Sequence, residues 1–241
     1  MQDCYSNYIP SIRENVKGFP EKYLYPYGNP IRPVLPVQIA QKKLMIIGAF
    51  RSARFERKDG LLIPIADNLS PFGEEKYFDG QEIRNQASRE SLNKNYFPQL
   101  RVKLEELWLT DLVKIFLFPE KHIKNCIDIA PDVEYTNTHD MFMEIAKASR
   151  QWIIKEIELC NPSLILTLGE IPARVISSNF EKENAQLING EIYLIELNKA
   201  YRIAHLAHPE IRRLNKEWDE RTNKALKDLA GPIRVLLDNI K

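Results

Sequence analysis

The sequence has 241 residues, 44% of them hydrophobic and 28% charged, with a net charge of +1. That is ample core material for one large domain, and the charge excludes a chain held to nucleic acid by an overall basic excess, so any such binding needs a local patch. No apolar run reaches membrane-spanning length, and the polar N-terminus lacks a signal-peptide core. The expectation is a cytoplasmic protein with no membrane partner. Cys4, Cys126 and Cys160 are too widely spaced for a disulfide framework or a CxxC zinc pair.

Residues 1–40 are rich in tyrosine and proline, as in "FPEKYLYPYGNPIRPVLP". Prolines forbid a long helix there, which predicts an extended strap on the domain. "KKLMIIG" then makes the first buried strand, since a continuous apolar run suits a parallel strand covered on both faces. "LWLTDLVKIFLF" (107–118) is the second strand with its exit, "PSLILTLG" (162–169) the third, and "YRIAHLAHP" (201–209) the fourth. "EIYLIEL" (191–197) reads as an edge strand or hairpin arm.

Helical spacing links Phe142, Ile145, Ala146, Ser149, Ile153, Ile157 and Cys160 ahead of the third strand. "QLRVKLEELW" reads as helical and leads into the second strand. A C-terminal helix is expected over 211–229, stopped by Gly231-Pro232. Strands alternating with helices predict an α/β/α sandwich with a mainly parallel central sheet.

Ligands of such sheets bind beyond the carboxyl ends of the strands. All four strands end in polar residues: Arg51-Ser52, Asp111 to Lys114, Gly169-Glu170 and His205 to His208. The pattern gives a location and not a chemistry. At the first exit, "GAFRSARFE", Gly48 lets the backbone approach a ligand closely. Ser52, Arg51 and Arg54 offer donors that suit a phosphate. The alternative is a solvated turn that only reverses the chain.

Three stretches in order, "KLMIIGAFRSARFE", "LWLTDLVK" with "CNPSLILTLGEIPARVI", and "IAHLAHPEIRR", resemble the uracil-DNA glycosylase superfamily over residues 42–213. The likeness is greatest to its iron–sulfur-type branch. The resemblance implies one glycosylase-like domain over 1–241 that flips a base out of DNA and hydrolyses its N-glycosidic bond. It also implies roles, residue by residue. Ala49 and Phe50 stand where relatives carry the acid or amide that activates water, and neither can polarise water. Arg51 replaces the motif proline. Glu56 is the nearest substitute carboxylate.

Phe72 in "SPFGEEKYFDG", with Tyr77 and Phe78 as rivals, matches the aromatic that stacks on the flipped base; a Phe covering the sheet end is the other reading. Asp111 replaces the Asn that reads the uracil edge. An ionised carboxylate only accepts hydrogen bonds, so it suits a base with an exocyclic amine better than uracil; a turn-capping Asp is the alternative. His208, followed by Pro209, matches the residue that stabilises negative charge on the departing base, and a structural histidine is the alternative. His205 points into the core or the opposite layer. Arg212 and Arg213 continue the chain and suit a DNA backbone.

The cluster positions of the iron–sulfur branch fall on Ile115 and Ser149, and the N-terminal CxxC is missing. Thiolates hold such clusters, so no iron–sulfur cluster, other metal or cofactor is expected. Three functions follow: a DNA-repair glycosylase of altered or reduced base specificity, a catalytically inactive nucleic-acid-binding member, or a nucleoside- or nucleotide-acting enzyme. DNA, single- or double-stranded, is the expected partner of a monomer.

Overall fold

Aliphatic runs bounded by glycine, proline or charge become the strands of one sheet. The computed structural model describes residues 5–26, 28–50, 54–58, 61–66, 69–78, 82–127 and 131–239. Its elements in chain order begin with α1 (Tyr8–Asn15), β1 (Leu44–Phe50), β2 (Arg54–Lys58), β3 (Leu61–Ala66), β4 (Lys76–Phe78) and β5 (Ile83–Asn85). Then come α2 (Ala87–Ser91), a π turn (Leu92–Tyr96), α3 (Phe97–Leu100), a 3-10 turn (Leu104–Glu106), β6 (Leu107–Val113), α4 (Glu120–Cys126) and α5 (Phe142–Cys160). The last are β7 (Leu164–Leu168), α6 (Glu170–Ser177), α7 (Asn184–Leu187), β8 (Tyr193–Glu196), β9 (Ala200–Leu206), α8 (Pro209–Leu214) and α9 (Lys216–Asp238).

The central sheet is five-stranded and mostly parallel, in the order β6-β1-β7-β9-β8, with helices on both sides. This is the expected α/β layering. β1, β7 and β9 run parallel, and Ile47, Thr167 and His205 stand level across them. β8 closes one edge as the antiparallel arm of a hairpin with β9. Every residue of β6 and β7 is buried, as a sheet covered on both faces requires.

Contacts divide the chain into two units: 1–35, 50–86 and 113–149 form the first, and 36–49, 87–112 and 150–241 the second. Buried tyrosines fasten the N-terminal segment within the first. The Tyr23 hydroxyl donates to the Phe116 carbonyl at 2.5 Å and pairs with Thr138 Oγ1 at 2.8 Å. Tyr8 accepts from the Lys114 amide at 3.0 Å and pairs with Ser149 Oγ at 2.6 Å. A buried phenol needs such a partner, so these bonds give the segment one register. The segment also carries α1; Pro10, three residues into it, is tolerated because the amides of the first turn have no intrahelical acceptor. In the second unit Trp108 Nε1 donates to the buried Glu156 at 2.7 Å.

Three local expectations change. α9 is not stopped at Gly231-Pro232; it begins after a break at Asn215 and runs through Pro232 to Asp238. The proline forfeits one helix hydrogen bond. Burial of Ile233 and Leu237, and an ion pair from Arg234 to Glu106 at 2.9 Å, offset that loss. "QLRVKLEELW" is not one helix: α3 ends at Leu100, Arg101 takes a left-handed φ of 55°, and only a 3-10 turn precedes β6. The Glu106 carboxylate, which accepts from the Lys103 amide at 2.9 Å, closes that turn. Finally, the first strand does not end at Gly48: β1 runs on to Phe50, and β2 and β3 after it pair antiparallel.

Candidate active site at the strand ends

His208 sits where β9 passes into α8. Pro209 at the first helical position has no N–H to satisfy. The next amide, from Glu210, donates to His208 Nδ1 at 3.3 Å. With Nδ1 an acceptor, a neutral imidazole carries its proton on Nε2. Burial of the ring holds its pKa below the ordinary histidine value, and the nearby Glu210 opposes that only in part. The side chain is therefore a neutral Nε2–H donor at physiological pH.

Gly169 ends β7 beside it. Its amide donates to the Leu206 carbonyl at 2.8 Å, and its φ of 99° and ψ of 169° lie in a region open essentially to glycine alone. A Cβ there would come within 3.4 Å of His208 Cβ. Gly48 follows Ile47, which is level with Thr167 on β7. The parallel register thus brings Gly48, Gly169 and His208 to the ends of three adjacent strands. Gly48 is not itself in a turn, however: β1 continues through Ala49 and Phe50. The Phe50 ring packs edge-on against His139 at 5.5 Å and Phe142 at 4.9 Å.

Asp111 lies inside β6, two residues before its end, and is 4% exposed. His205 is the buried histidine that the sequence suggested. It is fully covered, with Nδ1 at 2.6 Å from the Thr167 hydroxyl and Nε2 at 2.5 Å from the Tyr193 hydroxyl. Burial lowers its pKa to about 4.

The remaining candidates fall elsewhere. Arg51 and Ser52 lie outside the described residues. Arg54 and Glu56 are on β2, level with Ala66 and Ile63 of β3. Phe72, 6% exposed with a left-handed φ of 50°, belongs with them to the first unit. Its loop is clasped by Glu75, which the sequence reading passed over. Glu75 accepts from the Ser70 amide at 3.1 Å, from the Ser70 hydroxyl, and from Gln86 Nε2 at 3.0 Å. A Cβ on Gly73 would collide with that carboxylate, so "SPFGEE" was the available signal.

Arg212 is buried and turned inward: Nε and Nη2 donate to Asp219 Oδ1 at 2.9 and 2.6 Å. Arg212 Nη1 is buried without a hydrogen-bond partner, whereas Arg213 is exposed. Among the described residues no three His, Cys, Asp or Glu side chains group as metal ligands. No described helix is long and apolar enough to cross a membrane. Burial raises the Cys126 and Cys160 thiols to about 12, which leaves them protonated and poorly nucleophilic.

A family model of the uracil DNA glycosylase superfamily matches residues 37–230, well over half of the chain and all five strands of the central sheet. The chain belongs to the uracil DNA glycosylase superfamily. No curated protein matches the sequence. Superfamily membership explains why three parallel strands deliver their ends to one edge. α1 and the tyrosine-rich segment after it lie outside the matched residues.

Proposed function

We propose that this superfamily member flips a base out of DNA and hydrolyses its N-glycosidic bond, with specificity shifted away from uracil and a reduced rate on it. The observation that carries the reading is His208, a neutral Nε2–H donor held at the sheet edge beside Gly169. As the bond between sugar and base breaks, negative charge grows on a base carbonyl oxygen. A preoriented neutral N–H stabilises that charge without giving up its proton. The extruded base loses its stacking partners, and Phe72 is the aromatic proposed to replace them. Asp111 is proposed to accept from a ring N–H or exocyclic amine of the base.

Arg51, Ser52 and Arg54, with Gly48 as the point of close approach, are proposed to meet the phosphates, and Glu56 is proposed to activate the water. The partner is DNA, as membership of a DNA-acting superfamily supports. The protein is proposed to work as a cytoplasmic monomer.

A second reading, a DNA-binding member without catalysis, is favoured by one observation. Phe50, at the position where relatives carry the water-activating group, is engaged in aromatic packing. The discriminating experiment is an excision panel on oligonucleotides bearing uracil and amine-bearing damaged bases, with salt-dependent binding measured alongside. Excision of any base, lost in His208→Ala, supports the hydrolase. Binding without excision supports the second reading. Absence of both overturns each of them.

A further inference from the structure

Residue 208 is held at three points. Its ring accepts from the Glu210 amide. Its carbonyl accepts from the Arg212 amide at 3.4 Å. The carbonyl of the peptide that leads into it, on Ala207, accepts from the Tyr96 hydroxyl at 2.7 Å. Tyr96 is 1% exposed and ends the π turn, a rare insertion that re-aims side chains and is frequent at functional sites.

Behind Tyr96 stands a polar network built on Arg212, Asp219, Asn223 and Gln99, in which Arg212 Nη1 and Gln99 Oε1 are buried without a hydrogen-bond partner. The Arg212 guanidinium lies 4.8 Å from the Tyr96 ring centroid. Its Nη2 donates to Asp219 at 2.6 Å and to Asn223 Oδ1 at 2.7 Å. Asn223 Nδ2 donates to Asp219 Oδ2 at 3.1 Å, and Gln99 Nε2 donates to Asn223 Oδ1 at 3.0 Å. Asp219 is itself placed by Asn215, whose side chain caps α9 by accepting from the Trp218 amide.

We infer that Tyr96, backed by Arg212 and Asp219, is a positioning clamp that fixes the His208 imidazole in one orientation at the sheet edge, and that Arg212 serves this clamp and not a DNA phosphate. The inference rests on the reading of His208 as the group that meets the departing base. Physically, the tyrosine hydroxyl locks the Ala207–His208 peptide plane. The guanidinium, neutralised by Asp219 and stacked on the ring, keeps the phenol from rotating away. Asp219 already neutralises the charge a phosphate would seek on Arg212, whose side chain is only 6% exposed.

The test is nitrogen–proton correlation of the histidine rings in the full chain, with His208 assigned by the loss of its signals in His208→Ala. Wild type should show one neutral Nε2–H form for His208. Tyr96→Phe keeps the ring beneath Arg212 and removes only the hydroxyl. In it, and in Asp219→Asn, the two His208 nitrogen shifts should converge towards a tautomer average. Those of His205, held by Thr167 and Tyr193, should stay put. His208 shifts unchanged in a folded Tyr96→Phe or Asp219→Asn protein, or a wild-type His208 already averaged, would overturn the clamp.

The second arm is binding to an abasic-site oligonucleotide against salt. Arg212→Gln should keep the wild-type slope, whereas loss of a phosphate contact lowers it by about one. A drop of that size for Arg212→Gln would make it a phosphate ligand after all. If wild type neither binds nor cuts DNA, the functional reading fails while the ring spectra still decide the clamp.

Discussion

The exits of β1 and β9 belong to one sheet edge, yet the chain has treated them oppositely. At β9 the strand stops and Pro209 starts a helix, leaving His208 with one ring nitrogen engaged and the other available as a donor. At β1 the strand runs on through Ala49 and Phe50, and Phe50 goes into an aromatic cluster. Charge stabilisation on a leaving base needs only a fixed neutral donor, which β9 supplies. Water activation needs a polar side chain, and Phe50 presents an apolar ring packed on His139 and Phe142. On the proposed function, the charge-stabilising part of the site lies at the β9 exit and the water-activating part lies elsewhere than on Ala49 or Phe50.

The largest expected effect tests the water-activating part. Uracil excision by the wild-type chain should be slower by ~10²–10⁴ than by a superfamily member with an acid or amide at the Ala49 or Phe50 position, the usual cost of losing a general base. A single-turnover time course measures it, and Ala49→Asp should recover part of the rate. Equal rates would show that another residue, Glu56 first, activates the water, and the contrast between the exits would collapse.

Next is acid stability, which sharpens the difference between His208 and its buried neighbour. The pKa of His205 is lowered from an ordinary 6.5 to about 4. Between those values the unfolded chain binds more protons than the folded one. Stability is therefore full above pH 6.5, falls as the pH drops towards 4, and levels off below it. The loss from this group is about 3 kcal/mol. Denaturant midpoints of wild type and His205→Gln across that range should show the variant with the flatter pH dependence.

A smaller effect concerns β7, between the two exits. Gly169→Ala places a Cβ in a glycine-only conformation and should cost about 1–3 kcal/mol, read as a lower melting temperature. The backbone strain sits beside His208, whose Cβ the added Cβ would only touch at 3.4 Å, so any excision should fall further than stability does. The smallest effect is at the base reader. Asp111→Asn restores a group that both donates and accepts, and should raise uracil excision about tenfold, worth roughly 1.4 kcal/mol. No change would mean that Asp111 does not face the base.

Much of this was legible without coordinates. "KLMII", "LILTL" and "IAHLA" announce parallel buried strands because a strand covered on both faces has no reason to alternate. The helix start after His208 was legible because a proline after such a strand suits the first helical position. The β2–β3 hairpin was not, since "RFERK" carries no alternating apolar face and its strand character comes from pairing with "LLIPIA". The contacts of Glu75 and Tyr96 were invisible because each is made to groups that only the fold brings within reach, Ser70 and Gln86 for the one and the Ala207 carbonyl for the other.

By itself the sequence determined the strand order along the chain, the family and the absence of an acid or amide at Ala49 and Phe50, because these depend on local composition and on the order of motifs. Tertiary structure alone decided that β1 continues past Gly48, that α9 runs through Pro232 and that Arg212 turns inward to Asp219. Each of those outcomes sets a weak local preference against the burial of a ring, a helix face or a guanidinium. Burial is decided by partners far along the chain, such as His139 for Phe50, Glu106 for Arg234 and Tyr96 for Arg212.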